Sequence, residues 1–137
     1  MTEASNYQIG NILKQRDELL DKYNKFKSRF SVPIVCMCGS TKFKQTWIDE
    51  NKRLTIEGNI VLSVGLFGHH EGITEELKIK MDDLHKRKID LCDWVWVLDV
   101  GGYIGKSTRS EIEYAKVLDK PIRYLSKEFT NYIKNVE

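Results

Sequence analysis

Two short stretches hold the residues with the most chemical potential. The first is Gly39-Ser40-Thr41-Lys42, which closes an apolar run and opens a helical pattern. Backbone N–H groups at a helix N-terminus, two hydroxyls and an ammonium group suit a phosphate. The same residues also suit an ordinary capped turn with a solvent-exposed lysine. The second stretch is Gly101-Gly-Tyr-Ile-Gly-Lys-Ser-Thr108. Its glycines, Gly101, Gly102 and Gly105, permit a tight positive-φ backbone and close approach of a ligand. Ser107 or Thr108 is placed to cap the helix that follows, with Glu111 in the first turn, close to the loop.

Other candidates carry less. The glycine loop invites comparison with a Walker A loop, but that motif needs four residues between its first glycine and Gly-Lys-Ser/Thr. Here that place holds Val100, and the loop follows the third strand rather than the first. Glu111 and Glu113 are two apart on a helix, so one faces the loop while the other faces solvent. The helix dipole alone accounts for an acid at Glu111. His69 and His70 are adjacent and point apart on an extended chain, and no Cys-x-x-Cys or His-x-x-x-His spacing is present, so no metal site is expected. His85 shares a helix face with Asp82 and Ile89. Taken alone, that segment reads as a surface helix with solvated charges.

The elements that position these residues follow from periodicity. Residues 6–29 repeat apolar side chains at helical spacing, from Ile9 and Ile12 to Tyr23 and Phe26, with Ser5 or Asn6 as cap. The apolar run 33–38 reads as a buried strand, and a helix is predicted over 42–57, its apolar face Phe43, Trp47, Ile48, Leu54 and Ile56. Gly58-Asn59 stops it. A strand over 60–64 leads to a glycine-rich, mobile-looking loop over 65–72. A helix starting at Thr74 is lined by Leu77, Ile79, Met81, Leu84, Ile89 and Leu91. Trp94–Leu98 is an unbroken run of aromatic and aliphatic residues, the pattern of a strand covered on both faces. A helix over 110–118, a strand over 121–125 and a closing helix over 127–136 complete the chain. Strands alternating with crossover helices predict a parallel three-layer α/β sandwich of four or five strands, in flavodoxin- or Rossmann-like order. Residues 1–31 form an appended helix and 32–137 the single α/β domain. In the order 2-1-3-4 the first and third strands are neighbours, so both glycine loops flank one crevice.

Composition narrows the partners. The chain has 137 residues, 41% hydrophobic and 31% charged, with a net charge of +2. That is a soluble single domain, and the charge gives no case for a nucleic acid polymer or a membrane as partner. No apolar run approaches the roughly 20 residues of a membrane span. Cys36, Cys38 and Cys92 are odd in number and lie in apolar patterns, which suits reduced, buried thiols and a cytoplasmic location.

Cys38-Gly39-Ser40-Thr41-Lys42, Asp93 with the strand after it, and Glu111-Ile-Glu-Tyr-Ala115 together resemble the nucleoside 2-deoxyribosyltransferase-like superfamily. That superfamily includes the deoxyribosyltransferases and the deoxynucleoside 5′-monophosphate N-glycosidases, and the resemblance covers roughly residues 34–125. The first segment is similar to the Cys-Gly-Ser-x-Arg phosphate turn of the monophosphate glycosidases, with Lys42 replacing arginine. The last is similar to Glu-x-Gly-x-Ala, which implies that Glu111 is the nucleophile; Glu113 takes the glycine's place. His85 stands eight residues before Asp93, where the family has an aspartate that touches the base. Gly105 and Lys106-Ser107 stand where deoxyribosyltransferases carry a polar residue.

The resemblance implies cleavage or transfer at the N-glycosidic bond of a nucleoside or its 5′-monophosphate, without metal or organic cofactor. Glu111, His85 and Asp93 are then the catalytic set, His85 supplying the proton to the leaving base. Gly39, Ser40, Thr41 and Lys42, with Gly102, Ser107, Thr108 and Arg109 opposite, hold the substrate and its phosphate, and Tyr103 or Phe67 stacks on the base. A homodimer or larger assembly is expected, since related enzymes commonly complete their sites across subunits. A non-catalytic nucleotide-binding or sensing domain on the same fold is the alternative.

Overall fold

The computed structural model describes residues 3–29, 31–67 and 73–128. The chain divides into two compact units with the boundary between Ser31 and Val32. The first is helix α1, Glu3–Arg29. It starts ahead of Ser5 and Asn6, which therefore lie inside it rather than capping it; Glu3 and Ala4 are good helix formers and carry the helix upstream.

The second unit is a parallel three-layer α/β sandwich. Its elements are β1 Ile34–Gly39, α2 Lys44–Ile56, β2 Ile60–Leu62, α3 Glu75–Leu91, β3 Trp94–Leu98, α4 Lys106–Val117 and β4 Ile122–Tyr124. The sheet has four strands among the described residues, all parallel, in the order β2-β1-β3-β4. The central strands β1 and β3 are apolar on both faces because helices cover both. On one face Cys36, Cys38, Val95 and Val97 pack with Ile89 of α3 and Ile112 and Ala115 of α4. On the other, Val35, Met37, Trp96 and Leu98 pack with Trp47 and Leu54 of α2. Burying a side chain such as Leu54 or Ile89 stabilises the fold by about 1.5–3 kcal/mol.

The helices present narrower apolar stripes than the sequence predicts. On α2, Trp47 and Leu54 are buried, two turns apart, while Ile48 and Ile56 are exposed. On α3 the buried residues are His85 and Ile89, and Leu77, Ile79, Leu84 and Leu91 are exposed. Gly58 adopts φ 97° and Asn59 N–H reaches the Leu54 carbonyl at 3.0 Å, the left-handed stop expected after α2. The Thr74 side chain accepts from Leu77 N–H at 3.1 Å and caps α3. Most of the predicted loop 65–72, with His69 and His70, and most of the predicted closing helix lie outside the described residues.

Where β1 and β3 end, there is no room for a side chain at Gly39. Gly39 pairs with Leu98, and a Cβ on Gly39 would lie 2.9 Å from Leu98 Cβ and 3.1 Å from its carbonyl oxygen. Gly39→Ala must therefore spread the two central strands, and overpacking of this kind costs about 1–3 kcal/mol. Urea unfolding should show a lower midpoint for this variant; an unchanged midpoint would mean that the strands separate freely at this end.

Candidate functional site

Both glycine loops lie at the carboxyl end of the sheet and touch each other. After Gly39 the chain turns before α2 begins at Lys44, so Lys42 is in the turn and not in the helix. Phe43 is the N-cap and offers no side-chain bond. The Ser40 carbonyl accepts from Phe43 N–H at 3.2 Å and from Trp47 Nε1–H at 3.0 Å, which fixes the turn to the buried face of α2. Lys42 Nζ lies 3.4 Å from the centroid of the Tyr103 ring, and the Phe43 and Tyr103 rings meet edge to face at 6.0 Å. A cation over a tyrosine face is attracted by the ring quadrupole.

The second loop opens with a 3-10 turn, Val100–Gly102, in which Gly101 and Gly102 have φ of 61° and 82°. Gly105 does not share this geometry: its φ is −76°, and it is the N-cap of α4. The helix thus starts at Lys106, and Ser107 and Thr108 lie in its first turn instead of capping it. Glu111 is one turn further in than the sequence suggests. Thr108 is buried, Ser107 is half-buried and Arg109 is exposed.

Glu111 and His85 come together in the core. His85 Nε2 is 4.0 Å from Glu111 Oε2, and both residues are at least nine-tenths buried. The solvated-face reading of the His85 segment is overturned: α3 turns this residue onto the sheet. His85 Nε2 also lies 2.9 Å from the Met37 carbonyl, which can only accept, so the ring donates there. Cys36 Sγ and Cys38 Sγ approach the same nitrogen at 3.7 Å and 3.5 Å. These thiols were missed as site residues. Their signal is the spacing of two in a strand, which turns both side chains to one face.

The four side chains perturb one another. Burial pushes the Glu111 carboxyl up from 4.5 to about 7; the His85 charge opposes the shift and the Cys36 charge adds to it. Burial alone would depress His85, but the Cys36 hydrogen bond and then the Glu111 charge leave it raised. Of the two thiols, Cys36 is the acidic one. The Cys38 hydrogen bond lowers it to about 6 against its burial, helped by His85. Cys38 is raised, first by Cys36 and then by burial.

Asp93 stands apart. It precedes β3, so about 16 Å of strand separates it from the loop edge. Its carboxylate accepts from Ile34 N–H at 2.8 Å, and its own N–H reaches the Ile34 carbonyl at 2.7 Å. It fastens the amino ends of β1 and β3, a structural role in place of the expected catalytic one. Asp99, at the loop edge, accepts from the backbone N–H and hydroxyl of Ser126 at 2.9 and 2.6 Å. Phe67 packs against Trp47 at 6.2 Å, on the opposite face of the sheet from Glu111. No family model matches the chain, nor does any curated protein or solved structure.

A carboxyl that holds its proton more tightly in the folded chain than in the unfolded one stabilises the fold below its unfolded pKa. Glu111 contributes fully below about pH 4.5, and the contribution is lost as pH rises through about 7. Carbon-13 NMR should show one glutamate carboxyl titrating near pH 7, absent in Glu111→Gln. The variant should also lose less stability than wild type between pH 5 and pH 8. A midpoint near 4.5 for this carboxyl would show that water reaches it freely.

Proposed function

We propose that the protein cleaves or transfers at the N-glycosidic bond of a nucleoside or nucleoside 5′-monophosphate, with Glu111 as nucleophile. The observation that carries this reading is the pairing of a buried Glu111 with His85 at 4.0 Å, in a domain whose two glycine loops meet through Lys42 and Tyr103. In the proposed reaction the ionised Glu111 carboxylate attacks C1′ as the bond to the base breaks, through an oxocarbenium-like transition state. The bonding pair leaves with the base, and His85 supplies the proton that neutralises it. Water or a second base then attacks C1′ and frees Glu111. Lys42 lies over the Tyr103 ring beside Ser40 and Thr41 in sequence, and a 5′-phosphate would draw Lys42 from the ring into a charge-assisted hydrogen bond.

Incubation with a panel of deoxynucleosides, ribonucleosides and their monophosphates, followed by assay of free base, tests the reading. We expect base release, a fall of at least about 1,000-fold in Glu111→Gln, and tighter binding of monophosphate than of nucleoside, with Lys42→Ala narrowing that gap. Nucleotide binding by calorimetry with no base released from any member would favour a sensing domain.

Assembly belongs to the same proposal. On α1, Ile9, Ile12, Leu19, Tyr23 and Phe26 follow a three-and-four spacing that Arg16 alone interrupts, the pattern of a helix-pairing seam. We expect a homodimer by light scattering at micromolar concentration, and a monomer there would remove the seam from this account. No described helix is long and apolar enough to cross a membrane.

A further inference from the structure

Cys36, Cys38 and His85 present two sulfurs and one nitrogen that all lie within 4.8 Å of one another, and all three residues are buried. In a tetrahedral zinc centre, with Zn–S about 2.3 Å and Zn–N about 2.0 Å, adjacent sulfur and nitrogen donors stand about 3.5 Å apart. The observed sulfur–nitrogen separations are 3.7 and 3.5 Å. A thiol–imidazole hydrogen bond gives similar distances for one pair, but it does not require two thiols to converge on a single nitrogen. Glu111 Oε2, 4.0 Å from the same nitrogen, lies outside that tight group and would have to shift toward the sulfurs to close a fourth position. Such a set of two sulfurs, one nitrogen and one oxygen suits a soft or borderline cation and excludes magnesium and calcium, which take oxygen ligands.

We propose that Cys36, Cys38 and His85, with Glu111 closing the fourth position, bind a soft divalent cation of the zinc class. Binding displaces to solvent the protons that the two thiols and the Glu111 carboxyl still hold, and leaves two thiolates and a carboxylate. His85 keeps one proton, on Nδ1, and turns the Nε2 lone pair to the metal; its hydrogen bond to the Met37 carbonyl is given up. The strand supplies both sulfurs from one face and α3 and α4 supply the other donors, so the cation would tie three elements together. His85 and Glu111 are also the pair the N-glycosidic reading uses, so a bound cation would hold both away from that chemistry, and the test reads metal rather than base release.

The reduced full-length protein, stripped of metal, is titrated with zinc against a chromophoric chelator and separately with cobalt. The expected result is one equivalent bound, with a thiolate-to-cobalt charge-transfer band and the intense visible bands of a tetrahedral site. Cys36→Ser and Cys38→Ser should each weaken zinc by more than the 10- to 100-fold that an outer-shell loss typically costs. Cys92→Ser should bind as wild type, since the Cys92 thiol points to the Ile89 carbonyl at 3.1 Å. Glu111→Gln should bind more weakly yet keep the charge-transfer band. A wild-type cobalt complex without that band overturns the proposal whether or not the serine variants fold. So does zinc binding that is equal in wild type and a folded Cys36→Ser. Zinc binding together with no base release would uphold the metal and sink the glycosidic reading.

Discussion

The approach of β1 to β3 at Gly39 and Leu98 governs how the two glycine loops meet. Parallel strands share register over their whole length, so one close pair at the end sets where both loops begin. With a Cβ at residue 39 the strands would part and the Ser40 turn would move away from the 3-10 turn. The contact of Lys42 with Tyr103, from loops about sixty residues apart in the chain, depends on that spacing. At the other end of the same ladder Asp93 clasps Ile34 through two hydrogen bonds, which prevents the register from sliding. The central pair is thus pinned at its amino end and compressed at its carboxyl end.

The face of the sheet beneath α3 and α4 is built differently from the other. Trp47, Leu54 and Trp96 fill the α2 side with large apolar groups, and the indole donors of Trp47 and Trp96 reach the Ser40 carbonyl at 3.0 Å and Glu50 at 3.2 Å. The opposite side carries two thiols, an imidazole and a carboxyl among its aliphatic residues. Thiols cost little to bury. A buried carboxylate is costly unless paired, and among the described residues Glu111 has only one histidine at 4.0 Å and the Cys38 thiol as partners. A fold selected only for stability would place an aliphatic residue at 111, as α4 does at Ile112 and Ala115. The polar cluster is therefore a departure from the local rule, and departures of this kind concentrate at functional sites.

Much of the fold was legible because its signals are local. The apolar runs of β1 and β3, the Gly58 stop and the Thr74 cap each rest on a few neighbouring residues, and the alternation of strands and helices then restricts the topology. What was not legible depends on tertiary direction. Nothing in the α3 sequence says that His85 faces the sheet while Leu84 faces solvent, because both lie at the edge of a broad, charge-rich pattern. Glu111 lay one turn deeper than expected because Lys106 begins α4, where hydroxyls at 107 and 108 had suggested caps. Asp93 was misplaced for a plainer reason: a motif match locates a residue along the chain, and the end of the strand it occupies decides what it can touch. The two thiols were hidden by a search for metal-binding spacings, although a separation of two in a strand brings side chains together as surely as three or four does in a helix.

The energetic logic of the cluster turns on where one proton sits. Burial favours the neutral arrangement, an acid at Glu111 beside an uncharged imidazole, while Cys36 and then Glu111 favour the imidazolium and His85 favours the carboxylate. Two coupled groups titrate as a pair, so a modest change in the field above them moves the proton from one to the other. Under the proposed function, that change comes with the reaction itself. Positive charge develops at the sugar carbon as the base departs, and it stabilises an ionised Glu111 in surroundings where water screens little. The desolvation that disfavours the carboxylate in the resting protein then strengthens its attraction to the transition state. A solvent-exposed glutamate would ionise more readily and gain far less at that moment, because catalysis follows only from interactions that are stronger in the transition state than in the ground state.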